Sequence, residues 1–184
     1  MKCRKPTKRG DLSTLRGIVD AHIRNKRLPE SLELRFYADQ PSLAAAIEVA
    51  AMCKMPNGKR HPHQYRIRGE ALAEARRRLL AVDLASAGTF DELHDLVAAT
   101  VRGIWKKAEL TIYDIAHRIG AHLGLAPERV YLHCGTRVGA RALGLGRGKK
   151  VLELRELPDE FHRLTPAEAE DCLCIYKEQF GSRG

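Results

Sequence analysis

The sequence predicts an all-α protein, a compact and bundle-like helical domain. Helix-forming Ala, Leu, Arg and Glu are abundant in the 184 residues, whereas aromatic residues make up only 5%. Apolar residues also recur at helical spacing along most of the chain. We expect a basic N-terminal arm at 1–10 followed by a single helical domain at 11–184. Without an 18-residue apolar run or a signal-peptide pattern, the sequence favours a cytoplasmic protein that does not enter a membrane.

The first half of the domain is predicted to contain three helices. The first begins at Asp11 or Ser13, buries a stripe of aliphatic residues and is broken at 25–29. The second follows Ser42, and its almost wholly apolar run predicts a place in the core. A polar loop at 54–69, punctuated by Pro and Gly, leads to the third helix at 69–82.

Helix starts in the second half are predicted from capping boxes, in which a Ser or Thr is followed three residues later by an acidic residue. Thr89 with Glu92, Thr111 with Asp114, and Thr165 with Glu168 have this spacing. The first two boxes predict a helical hairpin at about 93–123, joined by a short turn that contains Gly103. The segment 151–157 is ambiguous between strand and helix.

The charge is unevenly distributed and suits a polyanionic partner. The formal net charge is +9, and residues 1–27, 54–80 and 128–150 carry nine, eight and six basic residues against two, two and one acidic residues. In contrast, residues 151–184 carry eight acidic and four basic residues. Because Lys and Arg at phosphates release condensed counterions, this pattern favours nucleic acid. A basic surface that serves solubility alone is the alternative.

The five cysteines indicate neither disulfides nor zinc. Their number is odd and no signal peptide precedes them, which is typical of reduced thiols. The groups Cys53 with His61 and His63, and Cys172 with Cys174, lack the paired C-x-x-C spacing of structural zinc sites. We therefore expect no metal and no other cofactor.

Two segments are predicted to meet a phosphate backbone. The turn of the hairpin presents basic residues beside the free N–H groups of the following helix. The loop at 54–69 exposes polar tips on a fixed scaffold. The candidate DNA-binding residues are Arg102, Gly103, Lys106, Lys107, His63, Gln64, Arg66 and Arg141.

The order of these elements resembles the helix-hairpin-helix DNA glycosylase superfamily. Its hairpin reads roughly L-P-G-V-G-x-K-x-A and is followed by V-D-x-H. Here V-R-G-I-W-K-K-A stands at 101–108 and V-Y-L-H at 130–133. The segments L-T-I-Y-D-I-A and Y-L-H-C-G-T-R also look like a bacterial group, the bacteriophage replication inhibition DNA glycosylases. The layout match covers about 40–145.

This resemblance implies excision of a modified base, such as glucosylated hydroxymethylcytosine, from double-stranded phage DNA by a monomeric enzyme. Two departures bear on the mechanism. Trp105 occupies the position of the second hairpin glycine, and Tyr131 occupies the position of the catalytic aspartate.

Cleavage of an N-glycosidic bond builds positive charge on the sugar, so a nearby carboxylate stabilises the transition state or positions water. With Tyr131 in the aspartate position, Asp114 is the nearest alternative acid, unless it serves only as the cap partner of Thr111. His133 is a further catalytic candidate, or a buried core histidine. Tyr131 itself completes the catalytic candidates.

The extruded base needs a pocket of polar and aromatic groups. Tyr113, Arg137 and Trp105 are the candidates for it, although Trp105 could equally close the core. Lys106 and Lys107 favour phosphate contacts over a Schiff base. A DNA-binding protein of the same fold without the catalytic acid is the main alternative, and an RNA-binding accessory protein is a third.

Overall fold

The computed structural model describes residues 12–105 and 109–181, and this part of the chain is mostly helical. The arm predicted at 1–10, Asp11, Lys106 and Lys107 lie outside the described residues, as does the side chain of His63. The helices are α1 (Leu15–Asn25), α2 (Arg27–Ala38), α3 (Leu43–Ala51), α4 (Gly69–Leu79), α5 (Phe90–Thr100), α6 (Glu109–Leu123), α7 (Cys134–Ala142), α8 (Pro166–Ile175) and α9 (Lys177–Gly181). None of the described helices is long and apolar enough to cross a membrane.

One small sheet interrupts the helices. Its strands β1 (Val130–Tyr131) and β2 (Val151–Leu152) are antiparallel, with Val130 opposite Leu152 and Tyr131 opposite Val151. The ambiguous segment 151–157 is therefore strand at its start and a 3₁₀ turn at Leu154–Glu156.

The three helices predicted for the first half of the domain are present as α1, α3 and α4, and α2 is an additional helix between the first two. The break predicted at 25–29 is only one residue long, because α2 begins at Arg27. Pro29 lies in the first turn of α2, where its missing N–H removes no helical hydrogen bond. Helix α3 follows Ser42 as predicted, and the Ser42 hydroxyl caps it by accepting from the amide of Ala45 at 3.2 Å.

The three predicted capping boxes have different outcomes. The box at Thr165 is confirmed in both directions. The Thr89 hydroxyl accepts from the Glu92 amide at 3.2 Å, but the Glu92 carboxylate accepts from Gly88 instead of Thr89. The box at Thr111 is wrong, because α6 already begins at Glu109 and Thr111 lies inside it. Asp114 is consequently free of a capping role.

The apolar side chains form two clusters. The first is built mainly from α1, α7, α8 and α9, and the second from α3, α4, α5 and α6. Strand β1 runs along their boundary: Val130 and Leu132 belong to the first core, whereas Tyr131 belongs to the second. This alternation follows from the two-residue period of an extended chain.

Small residues let α7 and α8 approach closely, as their sequence indicates. A Cβ atom placed on Gly139 would lie 2.2 Å from the carbonyl oxygen of Leu173, and one on Gly135 would lie 2.4 Å from Sγ of Cys174. The close approach brings the start of α7 against the middle of α8. It thereby positions His133 and Thr136 beside Glu170.

Candidate active site

A group of buried polar side chains lies where elements of the two cores meet. We call it the polar cluster; its members are Gln64, Asp114, Arg118, His133, Thr136 and Glu170. Asp114 and Arg118 come from α6, and Glu170 comes from α8. A polar group costs free energy to bury unless it is paired, so such a concentration makes the cluster a candidate functional site.

Asp114 is the most accessible acid of the polar cluster, with 19% of its side chain exposed. Its carboxylate accepts a hydrogen bond from Nε2 of Gln64, and Nη2 of Arg118 lies 3.9 Å away. Burial raises the pKa of Asp114 from 3.8 to about 6, against the opposing effect of the Arg118 charge. A carboxylate that is ionised at pH 7 but only partly solvated can accept a proton or stabilise a developing cation.

Arg118 contacts both Asp114 and the Gln64 side chain that donates to it. Its Nη2 also contacts Oε1 of Gln64 at 3.4 Å, and its guanidinium stacks over the ring of Tyr37 at 5.5 Å. Nη1 of Arg118 is buried without a hydrogen-bond partner among the described residues. Arg118 was not among the sequence candidates, although its position one helical turn after Asp114 is a signal for an ion pair.

The backbone next to these groups is strained. Cys53 is fully buried and has φ of +53°, a left-handed backbone conformation that residues other than Gly rarely adopt. Its carbonyl accepts from the His61 amide at 2.8 Å, which ties the end of α3 to the loop that carries Gln64. Such strain often accompanies functional sites because the surrounding structure must enforce it.

His133 forms the second half of the polar cluster. Its Nε2 lies 2.6 Å from Oε1 of Glu170, and the Thr136 hydroxyl donates to the same oxygen at 2.6 Å. The ring of His133 packs against Tyr113, with 5.5 Å between ring centroids. His133 is thus buried, as the core alternative requires, yet its partner is a carboxylate.

Tyr113, which packs against His133, has a buried hydroxyl without a hydrogen-bond partner among the described residues. The side chain is 3% exposed. Burial raises the pKa of Tyr113, and the negative charges of Glu170, Asp171 and Asp114 act in the same direction. The phenol therefore stays protonated and remains able to donate a hydrogen bond.

Tyr131 is held on the opposite side of β1 from the first core. Its hydroxyl donates to Oδ1 of Asp91, whose second oxygen accepts from Arg129. Burial and Asp91 both raise the pKa of Tyr131. The aromatic side chain that replaces the expected aspartate thus has a partner in α5, while Asp114 occupies the polar cluster.

A pair of carboxyl groups lies beside the polar cluster. Glu30 of α2 and Asp171 of α8 share a hydrogen bond, and burial together with nearby carboxylates raises the pKa of Asp171 well above its usual range. No local pattern in the sequence points to Glu30, Glu170 or Asp171, because only the packing of α2 and α8 brings them here.

The predicted surface residues lie in three places. Arg102 and Gly103 are exposed in the turn after α5, where Gly103 has φ of +81°, and Trp105 packs against the second core. Arg66 is exposed, whereas Gln64 is 1% exposed, so the expectation that its tip projects towards DNA is wrong. Its amide serves Asp114 instead.

Arg137 and Arg141 differ in their surroundings. Nη2 of Arg137 donates to the Leu132 carbonyl at 2.6 Å and pairs with Glu109 at 3.1 Å, which joins the start of α7 to α6. Arg137 therefore orients the segment around His133. Arg141 is exposed near the end of α7.

The chain matches no family model, no curated protein and no solved structure. The resemblance to helix-hairpin-helix glycosylases therefore rests on the two motifs of the sequence. Among residues 12–105 and 109–181, no group of three His, Cys, Asp or Glu side chains is arranged to hold a metal ion.

The raised pKa of Asp114 predicts a pH-dependent stability difference. Because the folded state binds this proton more tightly than the unfolded state, the contribution of Asp114 favours folding at pH 4 and is lost as the pH rises through 6. Asp114→Asn retains a neutral group, so we expect it to match the wild type near pH 4. Above pH 7 it should gain up to about 3 kcal/mol, at ~1.36 kcal/mol per pKa unit.

Urea unfolding at pH 4 and pH 7.5 measures this difference. Asp95→Asn is the matched control, because the Asp95 carboxylate lies on α5 and is 87% exposed. If the variant is less stable than the wild type at pH 7.5, the prediction is wrong. The attraction between Arg118 and the Asp114 charge would then contribute more to stability than burial of the carboxylate costs.

Proposed function

We propose that this protein is a DNA glycosylase that excises a modified base and leaves an abasic site. The observation that carries the proposal is Asp114, a partly accessible carboxylate that the polar cluster holds with a raised pKa. The modified cytosine of phage DNA is the substrate that the motif resemblance suggests, with a role in defence against phage.

The roles of the side chains follow from their positions. Hydrolysis of the bond between C1′ and the base adds the hydroxyl of water to C1′, and the departing base takes a proton. Asp114 would stabilise the cationic sugar and accept the proton of the attacking water. The protonated Tyr113 hydroxyl and the His133 ring suit hydrogen bonding and stacking with an extruded base.

A basic and aromatic surface lies beside this acid. In the loop at 54–69, five residues are Lys or Arg and none is acidic. Gln64 points inward to Asp114, whereas the adjacent Tyr65 is 60% exposed. Arg66 lies over the Tyr65 ring at 5.2 Å, and Nε of Arg66 donates to its hydroxyl at 2.6 Å. Exposed aromatic and cationic groups together are typical of nucleic-acid surfaces.

The hairpin of α5 and α6 is the other proposed DNA contact. The two helices pack against each other, and the left-handed Gly103 lets the chain turn after α5. We propose that this turn contacts the phosphate backbone through amides and basic residues, as a helix-hairpin-helix element would.

A test of catalysis compares three duplexes: unmodified DNA, and DNA with hydroxymethylated or glucosylated cytosine. Purified full-length protein is incubated with each, and abasic sites are counted. Abasic sites in one modified substrate support the proposal. Salt-dependent binding to all three duplexes without abasic sites would contradict the proposal. It would favour a second candidate function, DNA binding without catalysis.

That second candidate is a DNA-binding protein without catalytic activity. The observation that favours it is Tyr131, which replaces the aspartate of the family motif and whose hydroxyl is committed to Asp91. In this case the polar cluster would be a structural feature, and Asp114 substitutions would change stability only.

The exposed Tyr65 provides a prediction about DNA binding. We expect Tyr65→Ala to weaken binding to a DNA oligonucleotide about 10-fold, since stacking contributes ~1–3 kcal/mol per base. Tyr65→Trp should preserve the affinity. Fluorescence anisotropy measures it, with Leu80→Ala as a control because Leu80 is also an exposed apolar side chain. Equal affinities for wild type and Tyr65→Ala would exclude stacking at this position.

A further inference from the structure

The loop after α7 forms a cleft that no catalytic role explains. The cleft has a volume of about 310 Å³ and is lined by Arg141, Gly144, Leu145 and Arg147. Both arginines are exposed, and neither guanidinium has an ion-pair or hydrogen-bond partner among the described residues. Between 129 and 150 the sequence has six basic residues and no acidic residue.

The backbone of this loop is shaped for an anion. Gly144, Gly146 and Gly148 have φ of +76°, +73° and +73°, so left-handed residues alternate with others. The amides of Arg147 and Gly148 have no acceptor in the described parts of the chain. Successive N–H groups in such an alternation form a concave anion site. Gly144, which lines the cleft, also has open space at its Cβ position.

We propose that this cleft binds a phosphate group, and that in the DNA complex the group is a backbone phosphodiester. Guanidinium groups match phosphate oxygens in planar pairs of hydrogen bonds, which favours phosphate over a carboxylate. The assignment to DNA rests on the proposed function. Phosphate recognition itself rests only on the cleft.

The position of the cleft fits a strand that also reaches the polar cluster. The nine residues of α7 separate it from His133. At ~1.5 Å per residue the helix spans about 13 Å, which is about four nucleotide steps of ~3.4 Å along one strand. A nucleotide at His133 would thus place a phosphate about four steps further along the strand at the end of α7.

The test uses full-length protein and the double variant Arg141→Gln/Arg147→Gln. Unmodified duplex DNA is titrated at several salt concentrations, because each phosphate contact contributes about 0.9 to the slope of log K against log salt. We expect the slope to fall by about 0.9 in this variant, because the cleft holds one phosphodiester. Arg35→Gln/Arg77→Gln removes the same charge from two ion-paired surface arginines and should leave the slope unchanged.

Inorganic phosphate distinguishes the two sources of the ligand. Added to ¹⁵N-labelled wild type, it should shift the amides of Arg147 and Gly148, whereas sodium chloride at equal ionic strength should not, and the double variant should not respond. Phosphate shifts with an unchanged DNA slope would overturn the phosphodiester assignment. Absence of phosphate shifts would overturn the site. Neither measurement depends on excision, so loss of the proposed catalysis leaves this inference intact.

Discussion

Asp114→Asn is expected to lower the rate of base excision by about 100- to 10,000-fold, the range that a general acid or base contributes. The amide cannot take a proton from water and carries no charge to stabilise the sugar cation. It can still accept the hydrogen bond from Gln64, so the polar cluster should keep its geometry. The measurement is a single-turnover count of abasic sites on the modified duplex that the wild type cleaves.

Two controls separate chemistry from folding and binding. Asp95→Asn changes an exposed carboxylate on α5 and should retain the wild-type rate. Asp114→Asn itself should bind DNA with wild-type affinity. Full excision by Asp114→Asn would exclude Asp114 as the catalytic carboxylate, and a loss of DNA binding of the same size would assign the effect to binding.

The pH dependence of excision provides an independent check. Asp114 must lose its proton to act as a base, so the rate should fall as the pH drops through about 6. An unperturbed aspartate would give this decrease near pH 3.8 instead. The pH at the midpoint of this decrease would therefore show whether the carboxylate that limits the rate is buried.

Gly139→Ala is expected to be the most damaging single-methyl addition to the fold. The new Cβ would lie 2.2 Å from the carbonyl oxygen of Leu173, and a backbone atom of α8 cannot rotate away. Helix α7 must therefore separate from α8. Overpacking of this kind costs about 1–3 kcal/mol or more, which lowers the Tm by roughly 2–4 °C per kcal/mol in a chain of this size.

Thermal unfolding measures the effect, with Gly181→Ala as the matched control. A Cβ on Gly181 meets nothing within 4 Å, so this variant should have a wild-type Tm. Because α7 and α8 carry Thr136 and Glu170, Gly139→Ala should also displace the carboxylate partner of His133. A wild-type Tm for Gly139→Ala would show that the two helices can separate without cost.

The polar cluster carries a cost in stability that function would explain. Asp114 is buried enough for its pKa to rise, and Tyr113 and Arg118 each bury an atom without a partner among the described residues. A chain selected for stability alone would replace such groups with apolar ones. The expected gain in stability of Asp114→Asn at pH 7.5 together with its loss of excision would show this trade-off.

The sequence by itself determined the helical class and most of the helix starts. Thr89 and Thr165 were predicted as caps because a cap depends on residues within one turn. The capping box at Thr111 failed because the same Thr and Asp spacing also occurs inside a helix.

Only the tertiary structure decided what surrounds Asp114. Gln64 lies 50 residues before it, and Glu170 lies 56 residues after it, so no local pattern relates the three. Their meeting depends on how α6 packs against α2 and how α8 packs against α7 and β1. Burial then sets the pKa of the carboxylate, and burial is a property of the packed chain. For this reason the sequence named Asp114 and His133, but only the fold supplied Arg118 and Glu170 as their partners.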